Sequence, residues 1–263
     1  VSKTGSGSKG FIGTVSGTTL SFGTEITIVS GSANPDISFD PINANKFVAI
    51  SGRMSAVGTI SGTSITMGTP VVFAPGNTDN YSAVAFNPST SNFVVAYTDI
   101  SNSYYATVRV GTISGTTITY GNAHVAWSSN SGRHKIGFDG SGSGKFVYAF
   151  MDGYQNHVRA IAGTLSGTSI TTGTEVSVIT GTDTTWDLAV DLYSSNSFVV
   201  MGVDGSTNPQ LRAGTISGNS ITLGTKITVP TGSYSGSHNA VDFNPHVAGE
   251  FLAVYRGQIN TGR

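Results

Sequence analysis

An all-β fold, built from one unit of four short strands written five times, is what this sequence predicts, and three observations carry it. The element G-T-[VIL]-S-G-[TN]-[ST] starts at Gly13, Gly58, Gly111, Gly163 and Gly214, at intervals of 45 to 53 residues. A second element alternates with it: "ISFDPINANKFVAI" around Phe39, "VAFNPSTSNFVVAY" around Phe86, "IGFDGSGSGKFVYAF" around Phe138, "LAVDLYSSNSFVVMG" around Val190 and "VDFNPHVAGEFLAVY" around Phe243. Third, no segment sustains the 3.6-residue periodicity of a helix, and Gly, Thr and Ser at this density are poor helix formers.

Each half of the period reads as a hairpin. In "SAVAFNPSTSNFVVAY" a short alternating run meets an Asn-Pro-Ser-Thr-Ser turn, then a run apolar on both faces, as a buried strand requires. In "ATVRVGTISGTTITYGNAHVAW" Gly115 can take the positive φ of a tight turn, and β-branched residues fill both flanks. The acid or amide after the first strand (Asp40, Asn87, Asp139, Asp191, Asn244) is expected to bond the turn backbone two residues on, rather than a metal.

Four short strands per period of about 50 residues is the signature of a β-propeller, in which four-stranded blades surround a channel. The small-residue run ending in Phe-Asn-Pro or Phe-Asp-Pro suits the inner strand, the "FVVAY" run the second, and the "GTISG" hairpin the two outer strands. The chain opens on an outer hairpin with no inner one before it and closes on an inner hairpin with no outer one after it. Pairing the N-terminal strands with the C-terminal strands is expected to complete a fifth, composite blade, remove exposed sheet edges and give a closed five-bladed ring; the alternative is an excerpt from a longer array, with the composite blade unformed. Residues 1–7, in a Gly/Ser-rich stretch, are expected to be a flexible tail, and residues 8–263 a single domain.

Composition narrows the function. Charged residues are 10% with a net charge of −1, which leaves no electrostatic footprint for nucleic acid or an anionic membrane. No apolar run reaches the ~18–20 residues of a membrane helix. Absence of cysteine removes disulfides, thiolate metal sites and cysteine nucleophiles. The five histidines show no H-E-x-x-H spacing, and the Asp-Gly turns do not match D-x-[DN]-x-[DN]-G, so no metal or cofactor is expected. Asp36, Asp99, Asp152, Asp187 and Asp204 could supply a glycosidase with two carboxylates, but sialidase-type S-x-D-x-G-x-x-W boxes are missing. No enzyme and no catalytic residue is expected.

Repeated positions build the scaffold, so function belongs to the loops that differ between copies. Those entering the inner strand and leaving the second strand share one face and gather aromatic and polar side chains. The candidate ligand-binding set is Tyr81, His134, Asp152, Tyr154, Trp186, Asp187 and His238. An aromatic platform beside amides and carboxylates suits a sugar, whose ring face stacks and whose hydroxyls need directional hydrogen bonds. Trp186 breaks the repeat and is expected either to stack on a ligand at the channel mouth or to wedge between blades.

The inner-hairpin pattern resembles bacterial propellers with YVTN-type blades. The repeats, matched closely at "GTISGTSITMGTPVVF" (58–73) and more loosely in the other copies, resemble those of large repetitive bacteriophage structural proteins, the tail-fibre or virion-surface proteins of marine phages. That resemblance implies an extracellular or virion-surface module that adheres to a host glycan or a partner protein. A purely structural virion decoration or assembly domain without ligand is the alternative, and a propeller glycosidase the second.

Overall fold

The computed structural model describes residues 2–4, 7–30, 34–74, 76, 81–193, 196–204, 208–229 and 234–257, and of these 2–4, 182–184, 204, 234–238 and 256–257 by their backbone. Every regular element among them is a strand apart from a single 3-10 turn, Ile100–Asn102. The chain forms two compact units, residues 1–134 with 165–170 and residues 135–164 with 171–263.

In the first unit, Pro35–Phe39 pairs with Lys46–Ser51, which pairs with Met54–Ser61, all antiparallel. The fourth strand is not continuous. Ser64–Met67 covers the far half of Met54–Ser61 and Val71–Val72 the near half. The break follows the glycine that ends the outer hairpin, and one hydrogen bond fixes it in all five copies: the amides of Gly23, Gly68, Gly121, Gly173 and Gly224 donate to the carbonyls of Ile12, Val57, Val110, Ala162 and Ala213 at 2.8–2.9 Å. The sequence period is therefore also a structural one. The next copy follows the same order, Ala83–Phe86, Phe93–Asp99, Tyr105–Ser114 and Thr117–Tyr120. At the start of the chain Gly7–Gly10 pairs with Ile26–Val29, and Gly13–Ser16 with Thr19–Phe22. Of the expected tail, Ser2–Thr4 is a strand paired with Gly7–Gly10, with Ser2 opposite Lys9.

The pattern repeats in Lys145–Asp152 with Val158–Ser166, whose last two residues belong to the first unit, and then, in the second unit, in Thr182–Val190, Ser197–Asp204, Pro209–Ser217 and Ser220–Leu223. Tyr234–Phe243 and Phe251–Gly257 form a two-stranded sheet of their own. Three stretches expected as loops before an inner strand are extended instead: His124–Phe138 is one strand, and Thr182–Val190 and Tyr234–Phe243 begin well upstream of the predicted start.

Two side-chain devices explain the repeated letters. The Phe pairs Phe39–Phe47, Phe86–Phe93, Phe138–Phe146 and Phe243–Phe251 meet across the inner hairpins at 5.3–5.8 Å between ring centroids; such pairs contribute about 0.5–1.5 kcal/mol beyond the area they bury. The second Phe then lies over the Gly of G-T-x-S-G on the third strand: a Cβ on Gly58, Gly111, Gly163 or Gly214 would overlap the ring of Phe47, Phe93, Phe146 or Phe198. The turn acids behave as expected. The Asp40, Asn87, Asp191 and Asn244 side chains accept from the amides of Ile42, Ser89, Tyr193 and His246 at 2.9–3.0 Å. Asp139 instead accepts from the Ser141 hydroxyl at 2.8 Å. Burial pushes the Asp40 carboxyl up, but bonds from Asn43, Ile42 and Ser91 outweigh it and hold it below the ordinary carboxylate value.

Apolar faces of successive repeats pack on one another within each unit. In the first, Val48, Ile50 and Val57 join a core with Phe73, Phe93, Val95 and Tyr97. In the second, Val147, Ala149 and Ala160 join one with Trp186, Phe198, Val200 and Ile216.

Candidate functional site

The second strand of the second repeat, Phe93–Asp99, is buried along its whole length and leads into the 3-10 turn. Asp99 closes that turn: its carboxylate accepts from the amide and hydroxyl of Ser101 at 3.1 and 2.6 Å, and its carbonyl accepts from the amide of Tyr104 at 3.0 Å. The chain then reverses with Ser103 at φ 54° and Tyr104 at φ 64°. Arg133, at φ 52°, bends the long strand that passes alongside. The other three non-glycine residues with positive φ among the described residues, Asn45, Asn156 and Asn196, are of the type that tolerates it. Ser, Tyr and Arg do not, at a cost of order 1–3 kcal/mol each, and all three stand at this one corner.

Buried hydrogen bonds hold the corner in place. The Tyr104 carbonyl accepts from the amide and hydroxyl of Ser131 at 3.0 and 3.2 Å. The fully buried Thr98 hydroxyl donates to the Ser131 carbonyl at 2.9 Å and lies 2.8 Å from His134 Nε2. A hydroxyl has one hydrogen, so with that hydrogen on Ser131 the imidazole is the donor to Thr98, and Nε2 carries the proton. The His134 amide donates to the Tyr81 carbonyl at 3.1 Å. Above this frame Tyr81 is 38% exposed and Tyr104 49%, and the Arg133 guanidinium lies 4.5 Å from the Tyr81 ring centroid, within cation–π range.

Tyr81 and His134 thus meet at one corner in different roles, Tyr81 at the surface and His134 beneath it. Asp152 and Tyr154 meet at another corner, in the second unit. Asp152 is buried, accepts from the Tyr154 amide at 3.0 Å and from Arg159 Nε at 2.9 Å, and so ties a turn. Tyr154 is 76% exposed at the tip of that turn.

Trp186 is not a platform. Because 182–190 is strand rather than loop, its ring turns into the core with Val158, Ile179 and Val200 and is 7% exposed. Its neighbour Asp187 points the other way along the strand, pairs with Lys135 at 3.1 Å and accepts from the Val241 amide at 3.1 Å. Asp36 does the same in the first unit, accepting from the Val84 amide at 2.9 Å. Both acids cap the free edge of the next inner strand, a structural task. The side chain of His238 lies outside the described residues.

Arg133, Ser131, Thr98 and Tyr104 are not among the candidates read from the sequence. The loop "TDISNSYY" (98–105), which differs from its counterparts in the other copies, carries a signal for Tyr104; nothing local marks Arg133 as a partner of Tyr81. Each of Asp36, Asp99, Asp152 and Asp187 already accepts hydrogen bonds of its own. Among the described residues no group of three His, Cys, Asp or Glu side chains is placed to hold a metal ion, and no helix is long and apolar enough to cross a membrane.

No protein-family model and no curated protein matches this sequence. Solved structures do. A protein from Lactobacillus plantarum is 14% identical, with 94% of this chain and 71% of that one covered at a TM-score of 0.63. The SapL1 lectin in complex with alpha methyl fucoside is 13% identical, with 88% of this chain and 75% of that one covered at a TM-score of 0.50. At these identities the likeness is one of fold. The chain is thus an all-β protein of repeated antiparallel sheets, a class it shares with a carbohydrate-bound lectin.

Proposed function

We propose that this chain is a non-enzymatic recognition module that binds a glycan through the corner formed by Tyr81, Tyr104 and Arg133. The observation that carries the reading is the backbone strain concentrated at Ser103, Tyr104 and Arg133 beneath two half-exposed tyrosines. Strain of this kind persists where the surroundings over-determine it, and it serves to hold side chains ready for a ligand. Exposed tyrosine faces stack on sugar rings, and a guanidinium beside them supplies directional donors for hydroxyl or carboxylate oxygens. The fold shared with a fucoside-bound lectin supports the same reading.

In this reading the repeats are the blades of a five-bladed β-propeller whose fifth blade is a composite of both ends. A role in adhesion fits a place outside the cell or on a virion surface, as the phage-like repeats imply.

A glycan array, followed by a hydrolysis assay on the hits, tests the function. Binding without turnover is the expected outcome; no binding, or turnover of a bound glycan, overturns it. Tyr104→Gly separates site from scaffold. It removes the ring and relieves the positive φ, so affinity should fall at least about tenfold, as at a binding hot spot, while stability in a thermal melt stays level or rises by up to about 1 kcal/mol.

A further inference from the structure

A second arginine stands beside the corner formed by Tyr81, Tyr104 and Arg133. Gly52, at φ 58°, opens a two-residue turn between the paired residues Ser51 and Met54, and Arg53 is the second residue of that turn. Glycine at the first central position suits the twist of a tight hairpin. The Arg53 carbonyl also accepts from the Phe73 amide at 3.0 Å, so its backbone is fixed on both sides.

Two contacts set this turn against the corner. The hydroxyl of Ser82, the residue after Tyr81, donates to the Gly52 carbonyl at 3.3 Å. Arg53 Nη1 reaches the Gly76 carbonyl at 3.5 Å, and Gly76 lies so close to the 3-10 turn that a Cβ on it would overlap the Ser101 hydroxyl. Tyr104 follows that turn. All these residues belong to the first unit.

The use of the guanidinium sets Arg53 apart. Arg109, Arg159 and Arg212 each spend Nε and a further nitrogen on carbonyl or carboxylate oxygens at 2.6–3.3 Å, and so fasten the scaffold. Arg53 is exposed, and its bond to Gly76 is at the outer limit of a hydrogen bond. Among the described residues it has no carboxylate partner. The acid of the corner, Asp99, is 8% exposed and turns its carboxylate to the amide and hydroxyl of Ser101. Arg53 therefore brings to the tyrosines a positive charge and a planar fork of donors that the scaffold does not spend. A neutral sugar would leave that fork to water, whereas a carboxylate or a sulfate accepts two parallel hydrogen bonds from it, strengthened by charge.

We propose that the glycan of this corner carries an acidic sugar and that Arg53 selects it: the tyrosine rings stack on the sugar while the guanidinium receives its oxyanion. This rests on the glycan reading of the corner and names the class of ligand. Carboxylate and sulfate present the same chemistry to Arg53.

An array carrying neutral glycans, glycans with uronic or sialic acids, and sulfated glycans tests the assignment. Acidic glycans should be the hits, and the carboxylated and sulfated members tell the two sources of oxyanion apart. Each hit is then measured against the parent and Arg53→Gln beside its own neutral form, with the carboxyl reduced to an alcohol or the sulfate removed. Loss of the acid should weaken binding to the parent at least about tenfold, the strength of a hydrogen bond to a charged group. Arg53→Gln should bind the two forms alike and melt with the parent, since it gives up one long bond. Hits confined to neutral glycans, or an Arg53→Gln variant that prefers the acidic form as strongly as the parent does, would overturn the assignment. Neutral hits that are lost in Tyr104→Gly would remove the role of Arg53 and leave the corner standing. Acidic hits untouched by Tyr104→Gly, or an array without hits, would remove the corner and this assignment with it.

Discussion

His134 and Trp186 hold the same place in successive repeats, five residues before the turn acids Asp139 and Asp191. Both interrupt the repeat, both lie in strands where loops were expected, and both are buried. Their surroundings differ. Trp186 packs in a hydrophobic cluster of the second unit, whereas His134 spends its buried nitrogen on Thr98, which in turn holds Ser131 and, through it, the Tyr104 carbonyl. One position thus serves packing in one copy and the bracing of an exposed corner in another. Departure from a repeat marks a residue with a local task, and the neighbours decide which task.

Truncation at the two positions should break the comparison in opposite ways. Trp186→Ala should cost about 3–5 kcal/mol, the range for a large aromatic lost from a core, and appear as a large fall in melting temperature with ligand affinity retained. A variant that melts like the parent yet binds weakly would return Trp186 to the ligand site. His134→Leu should cost less, about 1–3 kcal/mol, because it leaves the Thr98 network one donor short. It should loosen Tyr81 and Tyr104 together, so that affinity falls more steeply than stability; equal affinity in His134→Leu and parent would deny the histidine its bracing role.

A smaller effect sharpens the contrast between satisfied and unsatisfied polar atoms. Tyr97, the residue before Thr98, is fully buried, and its hydroxyl has no hydrogen-bond partner among the described residues. Burial, helped by the Asp99 charge and opposed by Arg109, raises its pKa from 10.0 to about 12. Folding therefore favours the protonated phenol: the contribution is whole below pH 10 and is lost as pH climbs towards 12, amounting to about 2–3 kcal/mol at that end. Tyr97→Phe should be stabilising by about 1 kcal/mol at neutral pH and should gain further on the parent above pH 10 in denaturant titrations. Parallel alkaline curves for the two proteins would contradict this.

The five-fold period, the hairpin turns and the Asx bonds were legible in the sequence because they are local: in four of the five copies the turn acid or amide reaches the backbone amide two residues away. The glycine of G-T-x-S-G was legible as a letter, but not as the seat of a phenylalanine ring from the adjoining strand. The fourth strand was expected whole and is split at a glycine by a bond to the third strand. Asp187 was read as a ligand-site acid and caps the edge of a neighbouring inner strand instead.

What the sequence determined by itself is therefore the unit and its repetition, since alternation, turn residues and spacing act over a few residues. What the tertiary structure decided is which way each exceptional side chain faces and what it meets. In a strand, one residue of extra length moves a side chain from one face to the other. Whether 182–190 is loop or strand is settled by pairing with Ser197–Asp204, and that pairing turns Trp186 inward. The strain at Tyr104 and Arg133 is likewise a property of two distant segments held together by Ser131, and no stretch of either segment records it.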